Sequence, residues 1–197
     1  IVKKTTLFLI QKEKKRIFFT RILTDKTILE KLKNEEIRIK PLPTPEQVQP
    51  ASIDLRLGHE YLQPIHTTEI LNVQKDEPKY QKIDGNAIVI PPKEFILATT
   101  METIEVPSNL IARVEGRSSI GRLGLTIHVT AGFIDPNFKG QITLEIANLS
   151  NNSIMLFEGM RICQIIFEEL DTTPHRLYGE CGNKYQNQKG VTGSLNL

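Results

Sequence analysis

The chain has 197 residues, 39% of them apolar, and a formal net charge of +2. That is enough apolar material for a core, most simply in one domain, and no apolar run approaches the roughly 20 residues that a membrane-spanning helix needs. The small net charge hides a division: residues 1–21 hold seven Lys or Arg against one Glu, a net of +6, and the rest holds 18 basic and 22 acidic residues, a net of −4. The body is therefore not a basic, nucleic-acid-binding surface.

Residues 1–21 alternate short apolar patches with a charge run at 12–16 and lack the order of a secretory signal. They read either as a basic arm or as a dispensable extension. A helix is predicted from Thr24, with Thr24 or Asp25 as its cap and Ile28, Leu29 and Leu32 on one face; Pro41, Pro43 and Pro45 prevent its continuation. Residues 51–58 alternate Ile53, Leu55 and Leu57 with Ser52, Asp54 and Arg56 before a glycine, which predicts a strand ending in a turn, Asp54 and Arg56 forming an ion-pair ladder on its other face. Residues 60–86 read as polar and irregular, with His59 and His66 as surface histidines. Seven short strands follow, at 87–90, 95–100, 110–114, 124–129, 141–148, 153–157 and 161–167, separated by Pro, Gly or Asn turns. The pattern predicts a mainly β protein, a barrel or jelly roll preceded by one short helix. Cys163 and Cys181 match no zinc or redox spacing, and Cys163 reads as a buried thiol in a reducing, cytoplasmic setting.

Residues 115–148 carry the densest chemistry. Arg117, Ser118, Ser119 and Arg122 surround a bend that ends in Gly121, a combination of guanidinium forks and short donors suited to phosphate and sugar. In 141–148 the alternation puts Ile142, Leu144 and Ile146 on one face and Gln141, Thr143 and Glu145 on the other, so Glu145 points away from the apolar side. Asp135, before Pro136 and Asn137, suits an Asx turn. His128 reads as a satisfied strand histidine.

The runs GRSSIGRLGL, HVTAGFIDPNFKGQITLEIAN, GMRICQIIF and KYQNQKG, together with PASIDLRLG at 50–58, resemble the dCTP deaminase family of the dUTPase superfamily from about residue 22 onward. The resemblance makes residues 1–21 a dispensable extension and residues 22–197 one dUTPase-like domain with a tail from about 179 that closes over the nucleotide. It implies a distorted jelly roll, a homotrimer with sites at subunit interfaces, and a magnesium-bound triphosphate substrate, dCTP or dUTP, with dTTP as a feedback ligand. Neither the H-x-E nor the P-C-x-x-C motif of zinc deaminases occurs in the sequence, so no zinc is expected and water is activated by protein groups.

By the same resemblance, Glu145 is the general base, Arg122 and Ser118 position water and balance charge, and Asp135 faces the deoxyribose and orders a second water. Arg117, Ser119, Ile120, Gly121, Thr143, Leu144, Gln164, Tyr178, Lys184 and Gln188 complete the nucleotide contacts, and Asp54 and Arg56 are expected near the site or a subunit interface without a chemical step. Burial and the neighbouring arginine pull the Glu145 pKa in opposite directions, and the sequence leaves the balance open. Gly132 followed by Phe133 resembles members that also cleave the deaminated product to dUMP, Gly132 leaving room for water beside the sugar; Asn137, where relatives commonly have glycine, departs from the pattern. The alternatives are a deaminase that releases dUTP, a dUTPase, a silent nucleotide sensor and a nucleic-acid-binding protein.

Overall fold

The computed structural model describes residues 21–180 and 182–195. The expectations for residues 1–20 and for Cys181 lie outside them. Helix α1 spans Asp25–Lys33, with Thr24 at its N-cap position. Neither expected cap bond forms: the Thr24 hydroxyl lies 3.5 Å from that of Thr27, and Asp25 is itself the first helical residue, where its charge favours the helix N-terminus. Ile28 is fully buried whereas Leu29 is 47% exposed, so the helix meets the core along a narrow line.

Twelve strands follow: β1 Arg38–Lys40, β2 Val48–Gln49, β3 Ser52–Pro64, β4 Tyr80–Asp84, β5 Ala87–Ile90, β6 Phe95–Glu105, β7 Leu110–Gly116, β8 Leu125–Ile127, β9 Phe133–Ile134, β10 Lys139–Asn148, β11 Ile154–Phe157 and β12 Arg161–Glu169, with a one-turn helix α2 at Ser118–Gly121. Ten strands form one curled antiparallel sheet whose main path runs β8-β10-β6-β3-β12-β7-β9, while β5 and β11 pair separately. The fold is mainly β, a curled antiparallel half-barrel preceded by a short helix, as the strand spacing predicts. Its core is built from alternate strand residues, among them Ile53, Leu55, Leu57, Ile96, Leu144, Ile146, Ile165 and Phe167.

The stretch 60–86 is irregular as expected only over residues 65–79, an exposed loop between two strands. β3 continues to Pro64 and pairs with β4, Glu60 opposite Asp84 and Leu62 opposite Lys82. Glu60, Gln63, Lys82 and Asp84 make this hairpin polar because one of its faces is solvated, and that polarity masked it. Gly58 is no turn. β3 pairs with β12 over residues 53–56 and with β6 from Leu57 onward, with a register shift between Leu57 and Tyr61. At this transfer the chain passes so close to β6 that a Cβ on Gly58 would sit 2.7 Å from Thr99 Cγ2.

Asp54 and Arg56 do not form an ion pair with each other. Asp54, 2% exposed, is bridged by Arg117 Nε and Arg161 Nη1, each at 3.2 Å. Burial nevertheless holds its carboxyl above the usual range, against the pull of the two guanidinium groups. Arg56 instead meets Glu102, which has no exposed surface: Arg56 Nε donates to Oε1 at 2.7 Å and its backbone N–H to Oε2 at 2.8 Å, while Gln47 Nε2 donates to Oε1 at 3.0 Å.

Removing one partner of such a pair strands the other in low dielectric. Glu102→Ala is expected to cost about 3 kcal/mol, the low end for a buried pair because Arg56 is partly exposed, and a lowered urea midpoint with unchanged slope reads it out. A midpoint within error of the parent would show that the pair contributes no net stability.

Candidate active site

Along β10 the predicted alternation is realised: Ile142, Leu144 and Ile146 are buried, and Gln141, Thr143 and Glu145 are half-buried. The half-buried row lines a cavity of about 510 Å³, together with Tyr80, Phe95, Leu97, His128, Asp135, Phe138, Tyr178 and the tail residues Tyr185, Gln188, Thr192, Gly193 and Ser194. Among the described residues its lining contains two carboxylates, Asp135 and Glu145, and neither Lys nor Arg.

Glu145 is held in a defined orientation. Its Oε2 accepts from Thr130 N–H at 2.9 Å and from the Thr130 hydroxyl at 3.0 Å; among the described residues Oε1 accepts none. The Glu145 backbone N–H donates to His128 Nδ1 at 2.9 Å, and since an N–H can only donate, that nitrogen is unprotonated. The other ring nitrogen lies 3.9 Å from Glu145 Oε2, and the ring is hydrogen-bonded to the Ala131 backbone. Burial pushes the His128 pKa down, opposed by the Glu145 charge and the Ala131 contact. The histidine is neutral near pH 7 and serves as an acceptor that fixes the main chain of Glu145. Sequence reasoning gave it no role, because its partner is a backbone group 17 residues away.

On the opposite side Tyr178 packs edge-on against Phe138 with ring centroids 5.6 Å apart, and burial raises its hydroxyl pKa, keeping it a donor. Asn137, the departure noted in the sequence, adopts φ 71°, a left-handed conformation that asparagine tolerates better than most residues. Its Nδ2 donates to Tyr178 O at 2.9 Å, so the turn after Asp135 is tied to the start of the tail.

A family profile described as dCTP deaminase-like matches residues 22–170. The chain belongs to the dCTP deaminase-like family. It is 44% identical over 187 residues to a protein named dCTP deaminase, dUMP-forming, from Dictyoglomus turgidum, covering 89% of this chain and 95% of that one. It is also 46% identical over 182 residues to a dCTP deaminase from Natronomonas pharaonis, covering 88% and 93%. The fold resembles a crystal structure of 2'-deoxycytidine 5'-triphosphate deaminase from Agrobacterium tumefaciens, with a TM-score of 0.62 and 23% identity over 77% of this chain and 49% of that chain.

The structure gathers only part of the family's residue set. Glu145, Asp135, Thr143, Tyr178, Gln188 and Phe133 line the cavity. Arg117, Ser118, Ser119, Gly121 and Arg122 do not line it; they lie on and around α2, a helical turn where the sequence suggested a bend, with the two serines and Arg122 exposed. Arg117 is anchored by Asp54 and by donating to Arg161 O at 3.1 Å. The side chains of Ile120 and Leu144 are buried in the core, which leaves only their backbones for a ligand. Gln164 accepts from the Ser52 hydroxyl at 2.9 Å and reaches Gly116 O, ties between neighbouring strands. Lys184 Nζ donates to Leu195 O at 3.3 Å within the tail.

Gly132 is constrained differently from the expectation: a Cβ there would stand 2.7 Å from Val114 O, so the glycine lets β7 pass, and Val114 N–H donates to Gly132 O at 2.8 Å. Tyr80 and Thr192 line the cavity with no signal in the sequence reading, because neither belongs to a recognisable motif, whereas Gln141 lies on the polar face that the alternation predicted.

Because the His128 pKa is lowered on folding, the unfolded chain binds more protons than the folded one once the pH falls toward the unperturbed value of about 6.5. The histidine's contribution is therefore present above that pH and lost below it. Urea midpoints measured from pH 7.5 to 5 are expected to fall less steeply for His128→Gln than for the parent; parallel profiles would contradict the linkage.

Proposed function

We propose that the protein deaminates dCTP in the cavity over β10 and cleaves the product, dCTP and two waters giving dUMP, ammonia and diphosphate. The observation that carries the reading is Glu145, with Oε2 occupied by Thr130 and Oε1 open toward a water in a cavity sized for a nucleotide. Glu145 takes a proton from the water that attacks C4 of cytosine and returns it to the departing amino group, so that C4–O forms as C4–N breaks. His128 and Thr130 hold the carboxylate in place, which the transfer geometry requires.

A triphosphate needs cations, and the lining of the cavity has only carboxylates for charged groups. This supports a site completed by a neighbouring copy of the chain, whose exposed Ser118, Ser119 and Arg122 supply donors and positive charge. A homotrimer with sites at the subunit interfaces provides that arrangement. The tail cation Lys184 completes the phosphate contacts when nucleotide is present. Magnesium binds phosphate oxygens and water with one or two carboxylates at most; Asp135, exposed at the cavity, fits as the chain's oxygen donor near such an ion. Bound there, the ion would supply charge neutralisation of the phosphates.

Asp135 orients the second water toward the α-phosphorus, where P–O forms to water as the bond to diphosphate breaks. Phe133, 58% exposed at the cavity, and the relatives named dUMP-forming support this second step. A thymine nucleotide such as dTTP fits the same cavity as a competing ligand. The fully buried free thiol of Cys163, its pKa raised by burial, accords with a reducing cytoplasmic setting.

Glu145→Gln is expected to lower ammonia release by ~10²–10⁴ while nucleotide still binds, since the amide keeps shape and loses basicity. Near-parental deamination by this variant would remove Glu145 from the mechanism. With the parent, chromatography is expected to resolve dUMP and diphosphate with little dUTP; stoichiometric dUTP would reduce the activity to deamination. Mixing inactive Glu145→Gln and Arg122→Ala chains after joint refolding is expected to restore roughly a quarter of parental activity, the statistical share of intact sites in a ring of shared interfaces. No restoration would place both residues in one chain's site.

A further inference from the structure

The tail does not lie free on the surface. Asn187 N–H donates to Lys139 O at 2.7 Å, Gln141 N–H to Gln188 O at 3.0 Å, and Gly140 and Gln188 form a parallel bridge, so the tail begins as a short partner of β10. Gln188 Nε2 and Thr192 N–H both donate to Thr143 Oγ1, at 2.7 and 3.1 Å, and Gly190 N–H donates to Gln141 Oε1 at 2.7 Å. These contacts hold the strap along one side of the cavity. A second set lies across from them, on the β3–β4 hairpin.

There Glu60 is anchored by Lys82 Nζ at 3.0 Å. Gly190 rests directly on the carboxylate: with φ 69° and a Cβ that would fall 2.5 Å from Glu60 Oε2, it has no room for a side chain. Three residues on, Gly193 lies against the Tyr80 ring, where a Cβ would be 2.6 Å from Cε2, and Ser194 N–H points to the Tyr80 hydroxyl at 3.5 Å. Tyr80, Thr192, Gly193 and Ser194 all line the cavity.

We propose that the β3–β4 hairpin is the seat of the C-terminal strap, with Glu60 and Tyr80 as positioning residues that hold residues 190–194 across the cavity, and Gly190 and Gly193 as the two points where the strap must lack side chains to reach them. The hairpin thereby acts on the nucleotide at one remove: it sets how completely the strap excludes water and how long a ligand stays. That consequence rests on the nucleotide reading given above; the seat itself does not.

The test separates the two. In the full-length, ligand-free protein, Tyr80→Ala and Gly193→Val are expected to speed amide hydrogen exchange of residues 187–194 about tenfold, as loss of local contacts does. Tyr80→Phe, which keeps the ring, is expected to retain the parental protection, and exchange in β10 beyond Gln141 to remain slow in all three. With dCTP, Tyr80→Ala and Gly193→Val are expected to raise KM about tenfold with a smaller change in kcat, the pattern of lost ground-state binding. Unchanged exchange of the strap in both variants would overturn the seat. Faster exchange with unchanged KM would keep the seat and overturn its role in holding nucleotide. If Tyr80→Ala fails to fold, Gly193→Val carries the same test, since it alters only the strap side of the contact.

Discussion

Everything in the candidate site depends on the two-residue period of β10. The same strand gives Ile142, Leu144 and Ile146 to the core and Gln141, Thr143 and Glu145 to the cavity, and the two sets are inseparable because successive side chains point to opposite faces. A one-residue slip would drive a carboxylate into the core and expose three aliphatic chains, so the core itself enforces the register that places Glu145. Each neighbour then attaches to this strand: β8 and His128 through the Glu145 N–H, β6 through the ladder, and the tail through Gln141 and Thr143. The cavity face of β10 is therefore positioned by the core behind it.

Charge is distributed in the opposite sense. The guanidinium groups cluster away from the cavity, where Arg117 and Arg161 share Asp54 and Arg56 is locked to Glu102, while the cavity keeps Asp135 and Glu145. An isolated chain with this layout repels the phosphate end of a nucleotide. Arg117 stands at the N-terminal end of α2, so the buried Asp54 fixes the segment from which Ser118, Ser119 and Arg122 project. The acidic cavity and the basic segment thus lie on separate parts of the chain, which is the arrangement that motivates the proposed shared site.

Much of this was legible in the sequence, for reasons that can be named. Strands with one buried face announce themselves by alternation, and β5, β10, β11 and β12 lie close to where the pattern put them. The β3–β4 hairpin escaped because its solvated face and polar residues look like a loop, and Gly58 looked like a turn because sequence cannot distinguish a glycine that bends the chain from one that lets another strand pass. The tail was anticipated only through the family resemblance: its partners are main-chain groups and amide side chains, so its composition alone is that of a free terminus. Gly132 was singled out for the space it leaves, and the structure adds that β7 passes directly against it.

The link between Asn137 and Tyr178 bears on how the molecule opens. The asparagine takes a backbone conformation that glycine would take, and in exchange for glycine's freedom it gains an amide that grips the carbonyl at the root of the tail. Because Asn137 is exposed, water can replace that carbonyl at once when the root lifts, and no buried donor is left without a partner. The contact does not act alone: Tyr178 N–H donates to Pro136 O at 3.0 Å, Gln186 Nε2 donates to Asn137 O at 2.8 Å, and the Tyr178 ring lies edge-on to Phe138, so the turn that carries Asp135 and the base of the strap are joined at several points. A residue that reads as an exception in the sequence thus ties the turn that carries Asp135 to the root of the strap.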